Sequence, residues 1–110
     1  NEDATRIEHR VAGAEANPYL VLSSILSSIM YGFKNKINPD KPRIDNACDN
    51  PDKKMPLNVS EALSKLENSK VMNKYLTKEY VKIYVDLKRK EQESFHSEIS
   101  NTELKWYLNL

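Results

Sequence analysis

The sequence predicts a mainly α-helical chain with one N-terminal β-strand, the sheet of that strand being largely absent from the chain. Three observations predict it. Apolar residues recur at helical spacing in several stretches, most of them opened by a capping residue. One short segment, Thr5 to Val11, alternates with period two, as a strand does. Finally, no other segment offers that strand a convincing partner, and one strand cannot satisfy its own backbone groups.

Charge narrows the function. The 110 residues hold 17 basic and 16 acidic side chains, a formal net charge of +1. A dedicated nucleic-acid binder needs a large surplus of Lys and Arg facing phosphates; residues 1–40 carry four basic and five acidic groups and residues 41–110 thirteen and eleven. Cys48, the single cysteine, cannot form an internal disulfide, so nothing points to an oxidising compartment. The start, Asn-Glu-Asp, lacks the basic and apolar parts of a leader, and the chain reads as a cytoplasmic piece of something larger. Asn17 to Phe33 is free of formal charge, yet it is shorter than the roughly 20 residues a spanning helix needs and is diluted by four serines. A buried helix is the expectation there, and no membrane partner.

The elements follow in order. Residues 1–12 form the strand. Residues 17–36 form the buried helix, capped by Asn17 and opened by Pro18, whose missing N–H is not needed in a first turn. Leu22, Ile25, Leu26, Ile29, Met30 and Phe33 make its apolar stripe. Ser23, Ser24, Ser27 and Ser28 flank it, small enough to let other backbone approach. Lys34 and Lys36 complement the helix C-terminus, and Pro39 ends it. Residues 37–57 are a loop with prolines at 39, 42, 51 and 56, long enough to be functional, interfacial or flexible.

Residues 58–110 are a helical subdomain. Asn58 and Glu61 have capping-box spacing before Val59, Ala62, Leu63 and Leu66. A short helix covers Lys70 to Leu76. Thr77 caps a long helix to about Glu98, with Tyr80, Val81, Tyr84, Leu87 and Phe95 on its inner face. Ser100 with Glu103 caps a last helix, whose Leu104, Trp106, Tyr107, Leu108 and Leu110 form an apolar tail.

The strand carries the chemistry. Arg6, Glu8 and Arg10 fall on one face, each roughly 6.6–7 Å from the next, with Ile7 and Val11 on the other beside Thr5 and His9. Arg offers a planar, permanently charged fork for phosphate and carboxylate, and Glu a hard oxygen for a divalent cation. Alternating charge on a strand is more commonly just a solvated face, and spacing alone does not separate the two. His9 and His96 read as ordinary polar residues. Cys48 has no activating base near it in sequence, and there is no histidine–cysteine cluster for a transition metal. Tyr80 and Tyr84 read as packing, and Trp106 and Tyr107 as core or subunit interface.

Arg6-Ile7-Glu8-His9-Arg10, followed by Gly13-Ala14-Glu15-Ala16-Asn17-Pro18-Tyr19-Leu20, resembles the glutamine synthetase family near its C-terminus. The likeness continues through Gly32 to Ile37, the helix at Ser60-Glu61-Ala62-Leu63, and the terminal helix from Glu103 to Leu110. Glu93-Ser94-Phe95-His96 and the run from Glu103 to Leu108 are more similar to the gamma-glutamyl-polyamine ligase branch.

The resemblance implies a C-terminal fragment of an ATP- and Mg2+- (or Mn2+-) dependent ligase. Such a ligase forms an amide on the gamma-carboxylate of glutamate with ammonia or a polyamine, through gamma-glutamyl phosphate. It implies that Glu8 holds the metal, Arg6 sits near the nucleotide phosphates, and Arg10 is catalytic, near the glutamate carboxylate or the transferred phosphoryl group. It also implies a homo-oligomeric parent, a site shared with the remainder of the catalytic domain, and an inactive isolated chain. The competing reading is a non-enzymatic helical interaction module whose strand adds to a partner's sheet edge. In either case residues 1–12 are expected frayed or paired with another copy, not in an internal sheet.

Overall fold

The computed structural model describes residues 2–46, 48–49 and 51–108. All regular structure among them is helical. A 3-10 turn at Glu2–Ala4 is followed by α1 (Pro18–Lys34), α2 (Val59–Glu67), α3 (Lys70–Tyr75), α4 (Lys78–Ser97) and α5 (Asn101–Tyr107). The chain divides into two compact units, Asn1–Asn38 and Pro39–Leu110.

The first unit is an irregular arm and one helix. The mainly helical class holds, but the N-terminal strand does not form: residues 5–10 carry no regular structure, and no strand occurs among the described residues. The cause is the one that made the strand an orphan in sequence, since without a ladder partner its N–H and C=O groups gain nothing from extended pairing. A turn closed by Ala16 N–H donating to Gly13 O (3.1 Å) leads into α1. Asn17 Oδ1 then accepts from Tyr19 N (3.0 Å) and Leu20 N (3.3 Å), satisfying two of the donors a helix start leaves open.

The four serines of α1 do not look outward for partners. Ser23, Ser24, Ser27 and Ser28 donate to the carbonyls of Tyr19, Leu20, Ser23 and Ser24, at 2.7–2.9 Å. Their polarity is spent within the helix, so these faces are close to apolar in character. The helix ends in a Schellman motif: Lys36 N–H donates to Phe33 O (3.2 Å) and Ile37 N–H to Gly32 O (3.0 Å). Lys36 holds the left-handed position of that motif at φ 50°, where glycine is the usual occupant. The stop therefore lies at Lys36, three residues before Pro39. The expected burial of this helix is not what the structure shows. Leu22, Leu26, Met30 and Phe33 are exposed and Ser27 alone is buried, because the unit holds no second apolar face for the stripe to meet.

The second unit has the core. Leu63 of α2 meets Val81 and Val85 of α4, with Leu66, Met72 and Leu76 packed around them. The inner face of α4 is thus Val81 and Val85, the latter fully buried. The expected face was partly displaced: Tyr80, Leu87 and Phe95 are exposed, at 39%, 53% and 78%. Apolar residues lie on two sides of α4, and the compact β-branched pair fits against Leu63 more closely than a tyrosine could. Two polar clamps flank this contact. Arg89 Nη1 and Nη2 donate to Glu67 Oε1 (3.2 Å) and Oε2 (2.7 Å), a fork holding α4 to α2. Ser60 and Gln92 exchange hydrogen bonds at 3.1 and 3.3 Å.

The caps form largely as read. Asn58 Oδ1 accepts from Glu61 N (2.9 Å), although the Glu61 carboxylate reaches Leu57 N (3.0 Å), one residue beyond the box position. Ser69 caps α3 and Thr77 caps α4. Thr77 does so at φ 68° and ψ 145°, a region β-branched residues avoid. Ser100 and Glu103 complete a capping box. Leu104, Trp106, Tyr107 and Leu108 are exposed; Leu110 of the expected tail lies outside the described residues.

Candidate active-site segment

The arm from Thr5 to Ala12 leads, through the Gly13–Ala16 turn, into the capped start of α1. It carries Arg6, Glu8 and Arg10, all exposed. Glu8 Oε1 accepts from Arg10 Nε at 2.7 Å, with the two side chains 54% and 83% exposed. Arg6 stands at the same distance in sequence but turns the other way: its Nη1 donates to Ala4 O at 3.4 Å. Residues i and i+2 share a face in extended backbone, which is what lets the Glu8–Arg10 pair close without helical structure.

The arrangement presents two fixed cations and one carboxylate to solvent. Guanidiniums suit phosphate or carboxylate oxygens. Magnesium is commonly held by one or two carboxylates, with phosphate oxygens and water filling the other positions. Glu8 fits that donor chemistry as a single ligand. No group of three or more His, Cys, Asp or Glu side chains able to hold a metal occurs among the described residues.

Other sequence candidates stay apart from it. His9 is exposed on the arm, and His96 lies in the last turn of α4 with its ring 5.7 Å from that of Phe95, edge to face. Cys48 is exposed. Tyr80 and Tyr84 stack at 6.5 Å. An open cleft in the second unit, lined by Lys53, Met55, Ser60, Glu61, Ser64 and Lys65, had no signal in the sequence and brings together none of the predicted site residues. No helix among the described residues is long and apolar enough to cross a membrane.

Comparison with known proteins identifies the family to which this segment belongs. The glutamine synthetase catalytic domain matches residues 1–107. Gamma-glutamylputrescine synthetase PuuA of Escherichia coli is 32% identical over 103 residues, which is 94% of this chain and 22% of that protein. Glutamate–isopropylamine ligase of a Pseudomonas species is 36% identical over 110 residues, 97% of this chain and 24% of that protein. Type-1 glutamine synthetase 2 of Dictyostelium discoideum is 33% identical over 112 residues, 97% of this chain and 22% of that protein. No solved structure matches significantly. The chain thus spans between a fifth and a quarter of the length of these relatives, and, with its arm bearing two arginines and a glutamate ahead of α1, it belongs to the glutamine synthetase catalytic-domain family.

Proposed function

We propose that this chain is the C-terminal part of a ligase that joins the gamma-carboxylate of glutamate to ammonia or a small amine. The observation that carries the reading is the family match over residues 1–107, running through Arg6, Glu8 and Arg10. ATP and a divalent cation, when bound, supply the phosphoryl group that activates the carboxylate and the charge that steadies its transfer.

The chain's own residues have distinct parts. Glu8 gives one hard oxygen to the cation. Arg6 binds phosphate oxygens of the nucleotide. Arg10 aligns the glutamate carboxylate or the phosphoryl group passing to it, and its guanidinium offsets negative charge building on those oxygens. The acceptor is ammonia or a small amine: two relatives are named for putrescine and isopropylamine, and others are named glutamine synthetase. The parent acts in the cytoplasm as a homo-oligomer. The 110-residue chain alone is inactive, because it spans only between a fifth and a quarter of the length of its relatives.

Glu8→Gln in the complete catalytic domain tests the assignment. It should abolish cation-dependent ligation while leaving the fold intact by circular dichroism; turnover near the wild-type rate would refute the role. Arg10→Lys keeps the charge but loses the planar fork, and should lower kcat on the order of 10²-fold, the scale of losing one well-placed donor to a developing charge. ATP-dependent turnover by the purified 110-residue chain would overturn the inactivity.

A further inference from the structure

Helix α4 is apolar on two opposite sides, and its own unit covers one of them. Val81 and Val85 are buried in the cluster with Leu63. Tyr80, Ile83 and Leu87 run along the opposite side at helical spacing and stay 39%, 62% and 53% exposed. Several charges of α4 are matched within the chain: Lys82 with Asp86 and Lys88 with Glu91, both at 2.6 Å, and Arg89 with Glu67 at 2.7 Å. Glu79 and Lys90 are exposed on one flank of the stripe and make no ion pair among the described residues. We propose that this stripe is where α4 meets α4 of a second copy of the chain, the two helices running antiparallel. The proposal stands apart from the ligase reading.

A contact between like copies about a twofold axis brings residue i onto j and j onto i, so the surface must be complementary to itself. The stripe meets that condition. Ile83 and Leu87 straddle a midpoint at Val85, and Glu79 and Lys90 lie at nearly equal distances on either side of it. Their separation is about three helical turns, which returns both to one flank within about 20°. In the antiparallel pair Ile83 meets Leu87 of the second copy, and Glu79 meets its Lys90, twice over. Asp86, the acidic group nearest the axis on that flank, is already neutralised by Lys82. The stacked rings of Tyr80 and Tyr84 border the other flank, with Lys88 Nζ 5.9 Å from the Tyr84 centroid. A surface made for an unlike partner has no reason to set opposite charges symmetrically about its own midpoint. The contact is only a few turns long, so the association is weak.

Sedimentation velocity of the 110-residue chain across roughly 5–500 µM, a range suited to weak association, should show reversible exchange between monomer and dimer. Ile83→Asp should leave monomer alone. Glu79→Lys and Lys90→Glu should each weaken the dimer about three- to tenfold, since each turns two attractive contacts repulsive. Combining the two substitutions should restore wild-type affinity. Along one helix the two positions are roughly 16 Å apart, so that rescue arises only between copies. A monomer throughout the range would overturn the proposal, as would a dimer indifferent to Ile83→Asp. A double variant no tighter than the single ones would overturn it too, and would assign the stripe to an unlike surface such as the remainder of the catalytic domain. Circular dichroism matching wild type in every variant excludes misfolding as the source of any change.

Discussion

The two units of this chain differ in what they bury. Asn1–Asn38 carries the arm with Arg6, Glu8 and Arg10, but among its described residues no apolar side chain is buried and Ser27 alone is. Pro39–Leu110 holds the apolar core, Leu63, Val81 and Val85, and none of the predicted site residues. Helical structure persists in both, for different reasons. In α1 it rests on local devices, the Asn17 cap, the Pro18 start and the Schellman stop at Lys36. In α2 to α4 it rests on packing and on side-chain clamps from one helix to another. Local devices specify where a helix begins and ends. Burial supplies most of what keeps it formed in water.

The sharpest way to break this contrast is to place the same charge in both units. Val85→Asp puts a carboxylate where the native side chain is fully buried. It should cost at least ~3 kcal/mol and leave α2 to α4 unfolded or nearly so at 25 °C, read by urea titration of the far-ultraviolet signal. Leu26→Asp makes the equivalent change on the exposed stripe of α1. It should leave the cooperative transition of the second unit within about 0.5 kcal/mol of wild type. If both substitutions destabilise equally, the units are not energetically distinct.

A smaller effect comes from backbone strain, and both units contain it. Thr77 sits at φ 68° and Lys36 at φ 50°. Thr77→Gly removes a strain on the order of 1–3 kcal/mol. It gives up a threonine cap for a glycine one at a loss of only a few tenths. The net expectation is about 1 kcal/mol of added stability in the second unit by urea titration. Lys36→Gly should raise the helical signal of α1 and leave that transition unmoved. A loss of stability in Thr77→Gly would mean that the side-chain bond to Tyr80 N, at 3.3 Å, matters more than the torsion.

How much of this was legible in sequence follows the same division. Asn17-Pro18, Asn58, Thr77 and Ser100 with Glu103 announced the starts of α1, α2, α4 and α5, because capping is a matter of a few adjacent atoms. The inner face of α4 was less legible. Tyr80, Ile83 and Leu87 form one apolar side and Val81 with Val85 another, and only contact with Leu63 decides between them. The left-handed Lys36 had no signal, since neither glycine nor asparagine stands there to announce it. The conformation of the arm was not legible. Period-two alternation put Arg6, Glu8 and Arg10 on one face; the structure pairs Arg10 with Glu8 and turns Arg6 to the Ala4 carbonyl, and forming a strand depends on backbone partners that side chains do not encode. The difference between Arg6 and Arg10 was likewise invisible, the spacing being symmetric about Glu8.

The smallest expected effect concerns pH, and it again separates the units. Arg89 beside Glu67 holds that carboxyl below its ordinary range, chiefly through the hydrogen-bonded fork. The Ser100 backbone N–H and hydroxyl do the same for Glu103. A carboxyl whose folded pKa is depressed binds its proton more weakly when folded than when unfolded. Its contribution is therefore complete above the unfolded value, near 4.5, and is lost as pH falls below that through the folded value. Both groups lie in the second unit. Stability of α2 to α4 should accordingly be flat from pH 7 to about 5 on the carboxylate side and decline below about 4.5. Glu67→Gln should remove part of that decline and leave the plateau only slightly lower, as expected for an exposed pair. A decline of unchanged steepness in Glu67→Gln would place the acid sensitivity elsewhere and reduce the Arg89 fork to a device for register between α2 and α4.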